Sequence, residues 1–180
     1  MDRVRLATVW LAGCSGCHMS FLDLDEWLIE LNQIADVVYS PIMDRKDYPE
    51  NVDVCLVEGA VANEDNLEQI LLVRRRTRLL VSFGDCAVTG NVTALRNPIG
   101  DANVILERSY LDPANLRPRI PNEHGIVPPL LEQVYPVHKV VPVDFHLPGC
   151  PPPAPRIRAF LEPLLAGQAP QLTGDNLRFG

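Results

Sequence analysis

No apolar run in this 180-residue sequence approaches the ~20 residues that a membrane-spanning helix needs. Neither GxGxxG nor a Walker A sequence occurs, so the chain lacks the glycine-rich turns that cradle the phosphates of nicotinamide dinucleotides and nucleoside triphosphates. It has no internal repeat and no low-complexity tract, which excludes solenoids and fibrous arrays. Positive charge is short: 16 Lys and Arg stand against 23 Asp and Glu, a formal net charge of -7 that repels phosphate backbones and argues against nucleic-acid binding. No charged, apolar, cleavable leader precedes the strand-like stretch from Arg3 to Leu11, so a cytoplasmic chain is expected.

What is present is an ordinary globular composition, 47% hydrophobic and 22% charged, long enough for one domain. The first half alternates apolar runs with helical patterns. Strands are predicted at Val4–Leu11, Val37–Tyr39, Val54–Val57 and Leu79–Phe83. Phe21, Leu24, Leu28 and Leu31 recur at helical spacing, and Leu67, Ile70 and Leu71 mark a second helix. That helix carries Glu64, Asp65 and Glu68 early and Arg74, Arg75 and Arg76 late, the order the helix dipole favours. The strands are nearly continuous in apolar character, as parallel strands covered on both faces are.

Proline divides the chain. Of 17 prolines, 15 lie beyond residue 97, and residues 87–136 show little periodicity apart from a short stretch at 129–134. So long an irregular insertion is expected to serve function or to meet a partner. With the acidic charge, it points to a hetero-oligomer. A fifth strand is predicted at Val140–Leu147 and a last helix at Ala154–Leu165, kinked at Pro163 and ended by Gly167. The expected fold is α/β: a doubly wound parallel sheet of about five strands with helices on both faces, spanning residues 1–167. Residues 168–180 form a polar tail.

The five cysteines carry the chemistry. Cys14 and Cys17 follow the first strand, Cys86 the fourth and Cys150 the fifth. All four therefore stand past the carboxyl ends of strands, the edge at which open parallel sheets bind ligands. Gly13, Gly16, Gly84 and Gly149 stand beside them, with Gly59 on the same rim, and permit tight turns. Four thiolates suit tetrahedral zinc or a [4Fe-4S] cluster. One CxxC pair with two distant single cysteines frames a wider rim than a zinc ribbon does and favours iron–sulfur. A thioredoxin-like dithiol at Cys14 and Cys17 would leave Cys86 and the Cys150 turn unexplained. Cys55 sits inside the third strand and reads as a small buried hydrophobe. Glu58 reads as a turn or capping residue or as a neighbour of the metal site. His18 is expected to be solvated or capping and His146 to be a hydrogen-bonded structural residue. The arginines at 74, 75, 76 and 78 read as a charged helix terminus. The first loop lacks the hydroxyl-rich cradle that flavodoxins use for flavin phosphate.

The combination Cys14-x-x-Cys17, Glu58-Gly59-Ala60, Gly84-x-Cys86 and Pro148-Gly149-Cys150-Pro151-Pro152 resembles the small subunit of [NiFe] hydrogenases over residues 4 to about 165. The cluster subunit of respiratory complex I shares most of it. The resemblance implies a flavodoxin-like domain on which Cys14, Cys17, Cys86 and Cys150 hold one proximal [4Fe-4S] cluster, with Glu58, Gly13 and Gly84 nearby. Complex I subunits carry adjacent cysteines at the first position, whereas Ser15-Gly16 separates them here, as in hydrogenases. Periplasmic hydrogenase small subunits continue into a second domain with two further clusters, whereas no cysteine follows Cys150. The short single-cluster form is similar to the small (delta) subunit of the cytoplasmic NAD-reducing soluble type. That implies a large partner subunit with the Ni–Fe centre, and diaphorase subunits with further Fe–S clusters and FMN. A Ni–Fe site of the family type uses two CxxC pairs. Only Cys55 is left over, so hydrogen would be split in the partner. Other expectations are a different hydrogenase or complex I-like module with another acceptor, or a zinc-stabilised assembly protein without redox chemistry.

Overall fold

The structure, a computed structural model, describes residues 3–114 and 116–177. Five strands form the main sheet: β1 (Val4–Trp10), β2 (Ala35–Tyr39), β3 (Val52–Glu58), β5 (Thr77–Phe83) and β7 (Phe145–Leu147). Their spatial order is β2-β1-β3-β5-β7 and every pairing is parallel. Counted along the chain, that order is 2-1-3-4-5, the flavodoxin-like doubly wound arrangement, with its switch point between β1 and β3.

Alternation along the strands fills both faces. Leu6, Val54, Leu56, Val81, Phe83 and Leu147 face α1 (Gly16–Leu22), α2 (Trp27–Ile34) and α6 (Ala154–Leu165). Ala7, Val9, Cys55, Val57 and Leu80 face α3 (Glu64–Arg76) through Ile70 and Val73. Asn63 caps α3 by accepting the Asn66 N–H at 2.8 Å, and its acidic first turn and basic last turn complement the dipole. Arg74 donates to the carbonyls of Thr77 and Arg78 and to Asp144 Oδ2 at 2.7 Å, while Arg76 pairs with Glu50 and Arg78 with Asp53.

Three expectations are corrected in detail. The stripe from Phe21 to Leu31 is not one helix: residues 23–26 turn between α1 and α2, with Asp25 at φ 48, yet Leu24 stays buried within the turn. The fifth strand is only Phe145–Leu147, because Val137–Lys139 is a 3-10 turn and Pro142, which has no N–H, cannot continue a ladder. Pro163 lies within α6, which continues to Leu165. The insertion is largely structured. It contains α4 (Asp85–Thr89), a 3-10 helix at Asn91–Ile99, α5 (Ala102–Tyr110) and β6 (Leu130–Tyr135). β6 pairs antiparallel with β4 (Val61–Asn63) in a second, two-stranded sheet. Polar side chains hold this unit: Asn97 accepts the Val134 N–H at 2.8 Å and donates to the Val134 carbonyl at 2.9 Å, and Arg96 donates to the carbonyls of Ala62, Leu131 and Glu132.

Candidate metal centre

The carboxyl ends of β1, β3, β5 and β7 all open on one rim. The loop after β1 is tied to the end of β3 by Leu11 N–H to Glu58 O at 2.8 Å and by paired backbone bonds between Ala12 and Ala60. Gly59 makes that approach possible: its φ is +89, and a Cβ there would stand 2.9 Å from the Ala12 carbonyl oxygen. Gly13 packs against Gly59 and Glu58 in the same turn. The loops after β5 and β7 are joined too, since Gly84 N–H donates to Leu147 O at 2.8 Å and Asp85 N–H to Gly149 O at 2.9 Å.

These ties bring Cys14, Cys17, Cys86 and Cys150 to one neighbourhood. Cys17 and Cys86 are buried and Cys14 and Cys150 exposed. Burial, then the Glu58 carboxylate, then the thiols of Cys86, Cys14 and Cys150 push the Cys17 thiol far above its ordinary value. Burial raises Cys86 as well, helped by Cys14 and Cys150 and opposed by hydrogen bonds from Thr93 and Asn91. Gathered thiols of this kind hold their protons until a metal replaces them. Among the described residues, no three His, Cys, Asp or Glu side chains converge as a ligand set for a single metal ion. Glycine lets the rim backbone lie close against the sulfurs. A Cβ at Gly84 would overlap Cys17 Sγ, and one at Gly16 would meet Cys14 Sγ at 3.3 Å. Donors face the sulfurs as well, since Asn91 Nδ2 donates to Cys150 Sγ at 3.3 Å. Four soft ligands, a glycine cradle and N–H donors to sulfur fit a [4Fe-4S] cluster.

Glu58 is 2% exposed and accepts the backbone N–H groups of Cys17 at 3.3 Å and His18 at 3.0 Å. It anchors the turn that carries Cys17. His18 differs from its expected solvated role: it is 3% exposed, packs edge-on against Trp10, and bonds Glu58 through Nδ1. The difference arises because α1 turns its third residue inward beneath β1. His146, expected to be a hydrogen-bonded structural residue, lies in β7 with an exposed side chain that faces His138, ring centroids 5.9 Å apart. Cys55 is fully buried on the α3 side, where it meets the Tyr48 hydroxyl and is pushed up to about 12 by burial. Sequence reasoning missed Asp85, Asn91 and Thr93. Only the adjacency of Asp85 to Cys86 pointed to any of them, because polar residues in an aperiodic stretch give no periodic signal.

The sequence profile of the NADH ubiquinone oxidoreductase 20 kDa subunit matches residues 14–164, a span from the first rim cysteine to the last helix. The chain belongs to that family. Its relatives include the NAD-reducing hydrogenase HoxS subunit delta of Cupriavidus necator, 36% identical over 169 residues that cover 92% of this chain and 80% of that one. They also include an F420-non-reducing hydrogenase subunit of Methanothermobacter marburgensis, 35% identical over 183 residues. That alignment takes in 98% of this chain but 58% of the relative, so the chain spans little more than half of that relative's length. The solved structure of an NAD+-reducing [NiFe]-hydrogenase in the H2-reduced state contains a chain with a TM-score of 0.93 and 41% identity, covering 99% of this chain and 100% of that one. A [NiFeSe]-hydrogenase of Dm. baculatum shares the fold at a TM-score of 0.59 and 15% identity. The resemblance to [NiFe] hydrogenase small subunits is therefore borne out, as is the flavodoxin-like fold.

Proposed function

We propose that this chain is the electron-transfer small subunit of a cytoplasmic [NiFe] hydrogenase. Cys14, Cys17, Cys86 and Cys150 would hold one [4Fe-4S] cluster. A large partner subunit would carry the Ni–Fe centre, and a diaphorase module with Fe–S clusters and FMN would reduce NAD. The carrying observation is the meeting of four thiols from three remote stretches on the rim of one parallel sheet. The 41% identity to a chain of an NAD+-reducing [NiFe]-hydrogenase supports the choice of acceptor. The likeness to an F420-non-reducing hydrogenase favours a second reading, the same relay with another acceptor.

When bound, such a cluster supplies a one-electron carrier whose potential depends on burial and on hydrogen bonds to sulfur. The chain's own residues would set both. Asn91 donates to Cys150 Sγ, Glu58 fixes the Cys17 turn, and the buried positions of Cys17 and Cys86 exclude water from one side. The spacing of the four cysteines, one CxxC pair with two distant single residues, supports a cluster over a zinc-stabilised assembly protein.

Anaerobic purification with associated chains, followed by iron, zinc and acid-labile sulfide analysis, tests the proposal. About four irons and four sulfides per copy are expected. Stoichiometric zinc without sulfide would overturn it, and the identity of the co-purifying chains decides the acceptor.

A further inference from the structure

α4, the short helix that carries Cys86, ends at Gly90, whose N–H donates to the Cys86 carbonyl at 3.0 Å and whose φ of +89 reverses the chain. The reversal packs the 3-10 helix Asn91–Ile99 against α4, and the first residues of that helix reach the rim. Asn91 Nδ2 donates to Cys150 Sγ at 3.3 Å. Thr93, two residues on and half-buried, lies within hydrogen-bond reach of Cys86.

Thr93 has one hydroxyl proton and two acceptors within reach. Its Oγ1 donates to the Gly90 carbonyl at 2.6 Å, and that carbonyl also accepts the Ala94 N–H at 3.1 Å. A carbonyl oxygen has two lone pairs, so Ala94 keeps it satisfied if the hydroxyl turns away. Oγ1 itself is held, because a β-branched side chain is stiff about χ1, while the hydroxyl hydrogen rotates. The second acceptor is the Cys86 sulfur. Burial is the largest influence against negative charge there, and the Thr93 hydroxyl is the foremost group that favours it, ahead of the Asn91 amide. A hydrogen bond to sulfur strengthens as the sulfur gains negative charge.

We propose that the Thr93 hydroxyl is a redox-responsive donor, which turns from the Gly90 carbonyl to Cys86 Sγ when the rim site accepts an electron and so stabilises the reduced state. The proposal rests on the reading of the four cysteines as ligands of a [4Fe-4S] cluster. The electron comes from the partner that splits hydrogen. The proton stays on Thr93 Oγ1 throughout, no covalent bond forms or breaks, and one hydrogen bond is exchanged for another. A bond that is stronger in the reduced state raises the midpoint potential. Because the hydroxyl neither gains nor loses a proton, its contribution does not change with pH.

The test uses the protein purified anaerobically with its natural partner chains, after iron and acid-labile sulfide analysis. EPR-monitored redox titration reads the potential of the signal that Cys86→Ser abolishes. Thr93→Val puts a methyl where the hydroxyl stands and keeps the branched shape. It should retain iron and sulfide, shift the midpoint potential to a more negative value at every pH, and remove one solvent-exchangeable proton coupling from the pulsed EPR spectrum of the reduced state. Thr93→Ser, which restores the hydroxyl, should bring back both the potential and the coupling. An unmoved potential in Thr93→Val overturns the proposal. So does a drop that Thr93→Ser fails to restore, or a loss of iron from Thr93→Val, which would make the residue a structural clamp. A wild-type complex without iron and sulfide would sink the electron-relay reading and the proposal with it.

Discussion

Asp85 and Gly149 grip each other twice: Asp85 N–H donates to the Gly149 carbonyl at 2.9 Å, and Gly149 N–H donates to Asp85 Oδ1 at 2.7 Å. Each stands one residue before a rim cysteine, so this reciprocal pair sets the separation of Cys86 and Cys150 across 64 residues of sequence.

Removing the side-chain half of that pair leaves a part-buried N–H without its acceptor. Asp85→Ala is expected to cost about 1–3 kcal/mol and to lower iron retention during purification. Asp85→Asn keeps a carbonyl oxygen in place and should retain most of both. Chemical denaturation and iron content per chain read the two effects separately.

Gly84 has φ +82, and a side chain there would collide with Cys17 Sγ. Gly84→Ala should therefore disrupt the rim twice over, through backbone strain of about 1–3 kcal/mol and through displacement of the thiol. The expected result is a folded protein by far-ultraviolet circular dichroism with little iron and sulfide.

The cysteines should separate into two classes. Serine at Cys14, Cys17, Cys86 or Cys150 should abolish the EPR signal of the reduced protein. Cys55→Ser should leave that signal intact and cost about 1–2 kcal/mol, because a hydroxyl enters an apolar layer where the Tyr48 hydroxyl partly satisfies it. Loss of the signal in Cys55→Ser alone would refute the ligand assignment.

Tyr48 is buried beside that layer and its hydroxyl shares a 2.6 Å hydrogen bond with Thr77. Burial raises its pKa well above the usual tyrosine range, so it stays neutral and structural. Tyr48→Phe should lower stability by about 1 kcal/mol, with no change in cluster content. Thermal melts and iron analysis of the same samples check both parts.

His146 links stability to pH. Partial burial, then the neighbouring His138, lower its value below the ordinary 6.5. As pH falls, the unfolded chain takes up this proton before the folded one does. The contribution is thus present above pH 6.5 and is lost as pH drops through the window just beneath it. His146→Gln should flatten the decline of melting temperature in that window and leave the melt at pH 8 unchanged.

Much was legible without coordinates because its causes are local or periodic. Unbroken apolar runs such as Val54–Val57 mark strands buried on both faces. The acids and arginines of Glu64–Arg76 mark the two ends of a helix, and a cysteine after a strand end marks a rim position. Apart from the stretch at 129–134, residues 91–135 were not legible, since Asn97 and Arg96 hold that unit by bonding backbone groups more than 30 residues away, which no periodicity announces. The break at Asp25 was hidden for the opposite reason: Leu24 remains buried, so the apolar stripe looks continuous.

The sequence by itself determined the layer order, the strand ends and the kind of chemistry, because hydrophobic period and thiol count are properties of the chain. Only the tertiary structure decided that His18 is buried against Glu58, that Asp85 and Gly149 lock two loops together, and that Asn91 reaches the Cys150 sulfur. Those are relations between groups distant in sequence, and they exist only once parallel crossovers have stacked the strand ends along one edge.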